Sequence, residues 1–149
     1  MPSFTAVAPI LNQAWVDTIV TAFITAPGGA LTTTVKVHLR TDLGAPTPQD
    51  TSGTYTEANY TSYAAIAVTL TGPVNLTDQL EAAIANAIFV ITGAGPYTGN
   101  SVTGYYVTSA TNTLIASENF PTPIGMADLG DFINLGVALP LNLYPPPAA

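Results

Sequence analysis

The chain has 149 residues, of which two are Lys or Arg and nine are Asp or Glu, giving a formal net charge of −7. Ordinary soluble domains are about 25% charged, whereas this chain is 7% charged and contains no cysteine. Two basic residues cannot match the phosphates that a nucleic-acid binder or an anionic membrane surface presents, and without cysteine there are no disulfides, thiolate metal sites or cysteine nucleophiles.

A chain of this length predicts a single domain able to bury its own core. Thr, Ser and Asn supply its polarity, the composition of a β-rich structural or adhesive protein. The mean hydropathy is positive, but a spanning helix needs about 20 apolar residues. The longest apolar run, residues 82–91, stops at Thr92-Gly93-Ala94-Gly95-Pro96. The N-terminus has no basic region, and Pro9, Asn12, Gln13 and Asp17 break the stretch behind it, so no signal peptide is expected.

Residues 1–12 read as an extended arm carrying Phe4 and interrupted by Pro2 and Pro9. Residues 13–26 fit an amphipathic helix: Trp15, Val16, Ile19, Val20, Phe23 and Ile24 fall on one stripe, Asn12 can cap it and Pro27-Gly28-Gly29 ends it. Trp15 is expected to anchor that helix in the core, or else to touch a neighbouring subunit. Residues 33–40 alternate, with Val35, Val37 and Leu39 on one face and Thr34, Lys36, His38 and Arg40 on the other. That second face holds both basic residues and the single histidine. It reads as a solvated face pairing with nearby carboxylates, the alternative being a patch for an anion or an acidic partner.

Residues 41–58 form a long loop with turn chemistry at Gly44-Ala45-Pro46-Thr47-Pro48 and Ser52-Gly53, and loops of that length are often functional. A second strand is expected over 62–70, closed by Gly72-Pro73. Residues 77–87 have helical propensity at Leu80 to Ala85, yet the run Ile88 to Ile91 favours a strand, and a mostly extended segment is expected. Residues 102–107 and 113–120 predict a hairpin around Ser109-Ala110-Thr111-Asn112. Residues 130–143 supply the last strand, with mixed parity that implies a bulge near Gly136 or burial on both faces. Residues 144–149 are a polyproline tail.

Little in this chain carries catalytic chemistry. His38 is the only histidine and no G-x-S-x-G is present, so no serine–histidine hydrolase is expected. Asp78 with Glu81 and Asp128 with Asp131 are the close carboxylate pairs, and Asx-turns are their ordinary explanation. A calcium site at Asp128 and Asp131 would lack EF-hand spacing, and zinc lacks ligands. Gly93-Ala94-Gly95 is a turn, since it leads into Pro96 and not into a helix. No catalytic, cofactor or metal residue is assigned. The tyrosines, Tyr55, Tyr60, Tyr63, Tyr97, Tyr105, Tyr106 and Tyr144, are of a type enriched at interfaces. Tyr105 and Tyr106 must point to opposite faces of their strand: one enters the core, and the other faces water or a partner.

Two blocks stand in order along the chain. Residues 55–66 read YTEANYTSYAAI. Gly104-Tyr105-Tyr106-Val107-Thr108 is followed by Leu114-Ile115-Ala116-Ser117-Glu118-Asn119-Phe120 and then by residues 123–131, PIGMADLGD. This order resembles a family of small tailed-phage proteins found among virion structural genes. The family pattern is an N-terminal helix, "LF-N-x-x-x-P", "TEA-x-Y-x-GYA", "GYYVTD" and "AE-F…P…M…GD". The resemblance spans residues 10–143. It departs at Ser62, where the family has glycine, and at His38-Leu39-Arg40-Thr41, which replaces the "LF-N" step.

The resemblance implies a non-enzymatic virion component, most simply a capsid decoration (cement) protein. Such proteins sit on the shell surface, commonly as trimers, and bridge major capsid subunits. A tail or fibre-associated protein or a host-surface adhesin is the alternative. The expected partners are the major capsid protein and copies of the chain itself, with no nucleic acid, membrane or small-molecule substrate. The expected location is the capsid surface, with host cytoplasm during assembly. Interface candidates are Phe4, Trp15, Lys36, His38, Arg40, Tyr55, Tyr60, Tyr63, Tyr105, Tyr106 and Tyr144. The expected fold is mainly β, an antiparallel β-sandwich or partly open barrel in residues 13–143, with one N-terminal α-helix.

Overall fold

A computed structural model describes residues 3–5, 10–11, 31–76 and 79–141, with side chains described over 34–69 and 86–136. The helix expected over 13–26 with Trp15, the tail with Tyr144, Asp78 and the side chain of Phe4 lie outside the described residues.

The described chain is mainly β and largely antiparallel. Two short strands, β1 (Ser3–Thr5) and β2 (Ile10–Leu11), precede six long ones: β3 (Leu31–Arg40), β4 (Ile66–Leu76), β5 (Gln79–Val90), β6 (Asn100–Ser109), β7 (Leu114–Met126) and β8 (Phe132–Leu141). They form one sheet in the order β1-β8-β5-β4-β3-β6-β7-β2. Only β1 with β8 is parallel; every other neighbour pair is antiparallel. Two stretches of the expected N-terminal arm are thus paired at opposite ends of the strand order. Among the described residues no helix is long and apolar enough to cross a membrane.

The alternation of β3 sets its inner face. Val35, Val37 and Leu39 are fully buried and join Phe89, Ile91, Val102, Tyr105, Ile115, Ile133 and Leu135 in one core cluster. Residues 79–87 are extended within β5, the strand whose Ala87 and Phe89, followed just beyond its end by Ile91, enter the core. The hairpin also forms where expected. Ser109 Oγ accepts from the N–H groups of Thr111 and Thr113, and Asn112 takes a left-handed φ of 63°, which Asn tolerates better than most residues.

Three strand ends lie four or more residues from those expected. β4 starts at Ile66, after a turn in which Ser62 has φ 67° and Tyr63 N–H donates to Tyr60 C=O. It then runs through Gly72-Pro73 to Leu76, because a register irregularity between Thr71 and Val74 absorbs the proline. β7 likewise continues past Phe120 to Met126. Gly104 faces Asn119 and Val102 faces Ile124, so the intervening β7 residues, with Pro121 and Pro123, leave the ladder and rejoin it. The bulge anticipated near Gly136 exists, and its extra residue lies on β5: Ile84 faces Val137 while Ala87 faces Leu135.

The short link between β7 and β8 constrains the sheet as a whole. In a flat sheet these strands would lie five spacings apart, about 24 Å at roughly 4.8 Å each. The six steps from Met126 to Phe132 reach at most about 22 Å when fully extended. The link is not extended: Asp131 N–H donates to Asp128 C=O and Gly130 has φ 87°. The sheet must therefore curve so that β7 and β8 approach. Asp131 holds this turn by accepting from the N–H groups of Ala127 and Asp128, both at 2.9 Å, and the same bonds hold its carboxyl below the usual carboxylate range. The pair thus sits in a turn as expected, but Asp131 bonds backward to N–H groups three and four residues before it and does not make an Asx-turn.

Candidate functional site

The polar groups of this chain converge on the outer face of β3 and β6, beneath the loop 41–58. β4 leaves the ladder at the Ile66–Val37 pair, so the far end of β3 loses a neighbour. The loop's return takes that place: Thr41 N–H donates to Thr56 C=O, Ala58 N–H donates to Leu39 C=O, and Arg40 bridges Glu57. The one remaining strand donor, Leu39 N–H, reaches the Tyr63 hydroxyl oxygen at 3.0 Å. Every buried backbone group needs such a partner, which is why a loop this long stays on the sheet.

Within this fold His38 is central. Its Nδ1 lies 2.8 Å from Glu57 Oε1 and its Nε2 lies 3.0 Å from Thr108 Oγ1. A carboxylate only accepts, so Nδ1–H donates to Glu57. In the neutral ring the Thr108 hydroxyl then donates to Nε2. The ring stacks on Tyr106 with centroids 4.5 Å apart and planes 7° from parallel. Glu57 Oε1 also accepts from the Tyr63 hydroxyl at 2.8 Å. Burial, with the Glu57 charge nearby, pushes the Tyr63 and Tyr106 phenols well above the usual tyrosine range, so both remain donors.

Two residues along the same face, Arg40 is fully buried. Its Nη2 donates to Asp42 and to Gly44 C=O, and its guanidinium lies 4.2 Å from the centre of the Tyr55 ring. Tyr55 donates its hydroxyl hydrogen to Asp50 at 2.8 Å and accepts from Ser117 at 2.7 Å. Burial pushes its phenol up to about 12, with the Ser117 bond opposing and Asp50 adding to the rise. Tyr55, Tyr106 and Leu114 make a second, smaller core outside the main one.

These positions correct the expectation of a solvated basic face. The predicted carboxylate pairing is present, but His38 and Arg40 are buried because the loop covers them; of the three, only Lys36 is partly exposed. The tyrosines are corrected likewise as surface candidates. Tyr55, Tyr60, Tyr105 and Tyr106 are buried within the chain and Tyr63 is partly buried, so their rings pack internally. Tyr105 enters the main core and donates to Glu118 at 2.8 Å, while Tyr106 lies on the other face, as adjacent strand residues must. Glu57, Thr108, Asp42 and Ser117 are the members that sequence reasoning missed. Glu57 stood in the quoted YTEANYTSYAAI block, but no spacing rule connects residues 38, 57 and 108.

A hydroxyl, an imidazole and a carboxylate bonded in series have the connectivity of a nucleophile, its base and an orienting group. They line an open cavity of about 260 Å³ together with Ser52, Gly53, Tyr106 and Asn112. Access decides what the series can do. Thr108 is 1% exposed near the C-terminal end of β6, whereas attack needs a reacting carbon within about 3–3.5 Å of its oxygen. The connectivity therefore acts here as a clasp that pins the loop. Thr108→Val keeps the shape but leaves Nε2 unpaired, a loss of about 1–3 kcal/mol. Urea denaturation should show that loss, and amide exchange should accelerate first over residues 51–57. Unchanged exchange there would mean the loop is held by something else.

Among the described residues no group of three or more His, Asp or Glu gathers to hold a metal. Comparison with protein-family models, curated proteins and solved structures finds no match to this chain.

Proposed function

We propose that the protein is a structural component of a tailed-phage virion, a capsid decoration protein that braces major capsid subunits and meets copies of itself, without enzymatic activity. The observation that carries this reading is the internal use of its chemistry. His38, Arg40, Tyr55, Tyr63 and Tyr106 are spent on holding a loop to a sheet, Tyr60 and Tyr105 pack in the main core, and the described outward strand faces carry little charge. Strand faces that carry little charge suit protein contact, where the fully buried centre of an interface is depleted in charge. The motif order quoted above supplies the virion context. The same reading takes the sheet as a partly closed barrel, supported by the short 127–131 link and by a single core cluster that draws on strands from both ends of the sheet.

The test is to mix the protein with expanded empty shells and follow shell melting. Binding with a raised melting temperature is expected; no binding and no gain would overturn the assignment. The alternative, a tail-associated protein or adhesin, draws on the hydroxyl- and amide-lined cavity at Ser52, Thr108 and Asn112. Immunogold label at the tail tip would favour it, and label over the head the first reading.

A further inference from the structure

The strongest unexplained surface lies away from the clasp, on the outer face of the β5–β8 side of the sheet. Ala87 and Phe89 point inward, so Ile88 and Val90 point out, and they remain 54% and 38% exposed. Val90 lies directly opposite Phe132 and Ile88 opposite Asn134. The face continues across β4 and the start of the described part of β3 through exposed Ala67, Thr69 and Thr34. Described side chains on this face are uncharged from β8 to Thr34. Its rims are charged with opposite signs: Lys36 on β3, and Asp128 with Asp131 in the turn that leads into Phe132.

We infer that this face is a homotypic contact, in which two copies pack Ile88 and Val90 against each other about a two-fold axis. Charge selects the occupant. Each copy carries −7, so two copies repel wherever acids face acids, and a neutral face is where they can approach. Of the two basic residues, Arg40 is sealed under the loop, which leaves Lys36 as the cation a copy can offer. A two-fold through the middle of the face sets Lys36 of each copy toward the Asp128–Asp131 turn of the other. An isologous contact needs such self-complementarity.

Size sets the strength. Four strands at about 4.8 Å spacing and five residues at about 3.3 Å rise cover about 320 Å². A stable interface buries about 800 Å² on each partner. The contact is therefore weak between free copies and becomes effective when several are held on one particle at high local concentration. This inference rests on the reading that copies meet one another, but not on which particle holds them.

Sedimentation of the full chain from micromolar to millimolar concentration tests it without any shell. A monomer–dimer equilibrium is expected at the upper end. Ile88→Asp should abolish it, Lys36→Glu should weaken it, and Leu43→Asp, at an exposed position on the distant loop, should leave it unchanged. Melting of each variant confirms that it is folded. A chain that stays monomeric at millimolar concentration, or a dimer indifferent to Ile88→Asp, would overturn the inference. Shell binding by a strictly monomeric chain would leave the decoration reading intact while removing this one.

Discussion

Gly104→Ala should destabilise the protein by about 3 kcal/mol or more, the upper range for forcing a carbon into a packed interior. Gly104 sits in β6 between Arg40 on one side and Asn119 on the other. A Cβ at this position would lie 2.2 Å from Glu118 C=O and 3.0 Å from Asn119 Cα. Both are backbone atoms, so no rotamer change relieves the clash, and β7 would have to move off β6. For a chain of this size each kcal/mol lowers the melting temperature by about 2–4 °C, so a drop of about 6–12 °C is expected. Gly125→Ala is the control, since nothing lies within 4 Å of the added carbon. If Gly104→Ala melted like the control, β6 and β7 would not meet in the register that sets Gly104 against Asn119.

That dependence shows what could be read from the chain and what could not. The period-two pattern of residues 33–40 was legible because Val35, Val37 and Leu39 all enter one core. The hairpin was legible because Ser109 and Asn112 carry their turn chemistry locally. The strand ends at Gly72-Pro73 and Phe120 were not, since a bulge carries the strand through prolines that local rules treat as breakers. Burial of the basic face was hidden for a different reason. Nothing in the strand itself distinguishes a face covered by water from one covered by a loop. The cover comes from Tyr55 and Glu57, whose partners lie as far away as Ser117 and Thr108's neighbour His38. Pairing across such distances is a property of topology, not of local pattern.

Arg40→Ala is the substitution that should release the loop most completely. It removes a fully buried cation from Asp42, from Gly44 C=O and from the face of Tyr55. Breaking a buried pair by deleting one partner costs about 3–5 kcal/mol, and the void left by the side chain adds to the loss. Two opposing effects keep the net value near the lower end. Asp42 is 24% exposed and can turn toward water, and Arg40 Nε and Nη1 have no acceptor among the described residues, so their desolvation is already a cost in the folded state. Arg40→Met separates charge from packing: it restores volume and relieves those unpaired donors, but leaves Asp42 and the Gly44 carbonyl without their partner. If charge holds the loop, Met should recover only part of the stability lost by Ala, and amide exchange should remain fast over residues 42–57. If packing holds it, Met should match the wild type in both melting and exchange, and the loop would then be held by Tyr55, Leu114 and the His38 clasp alone.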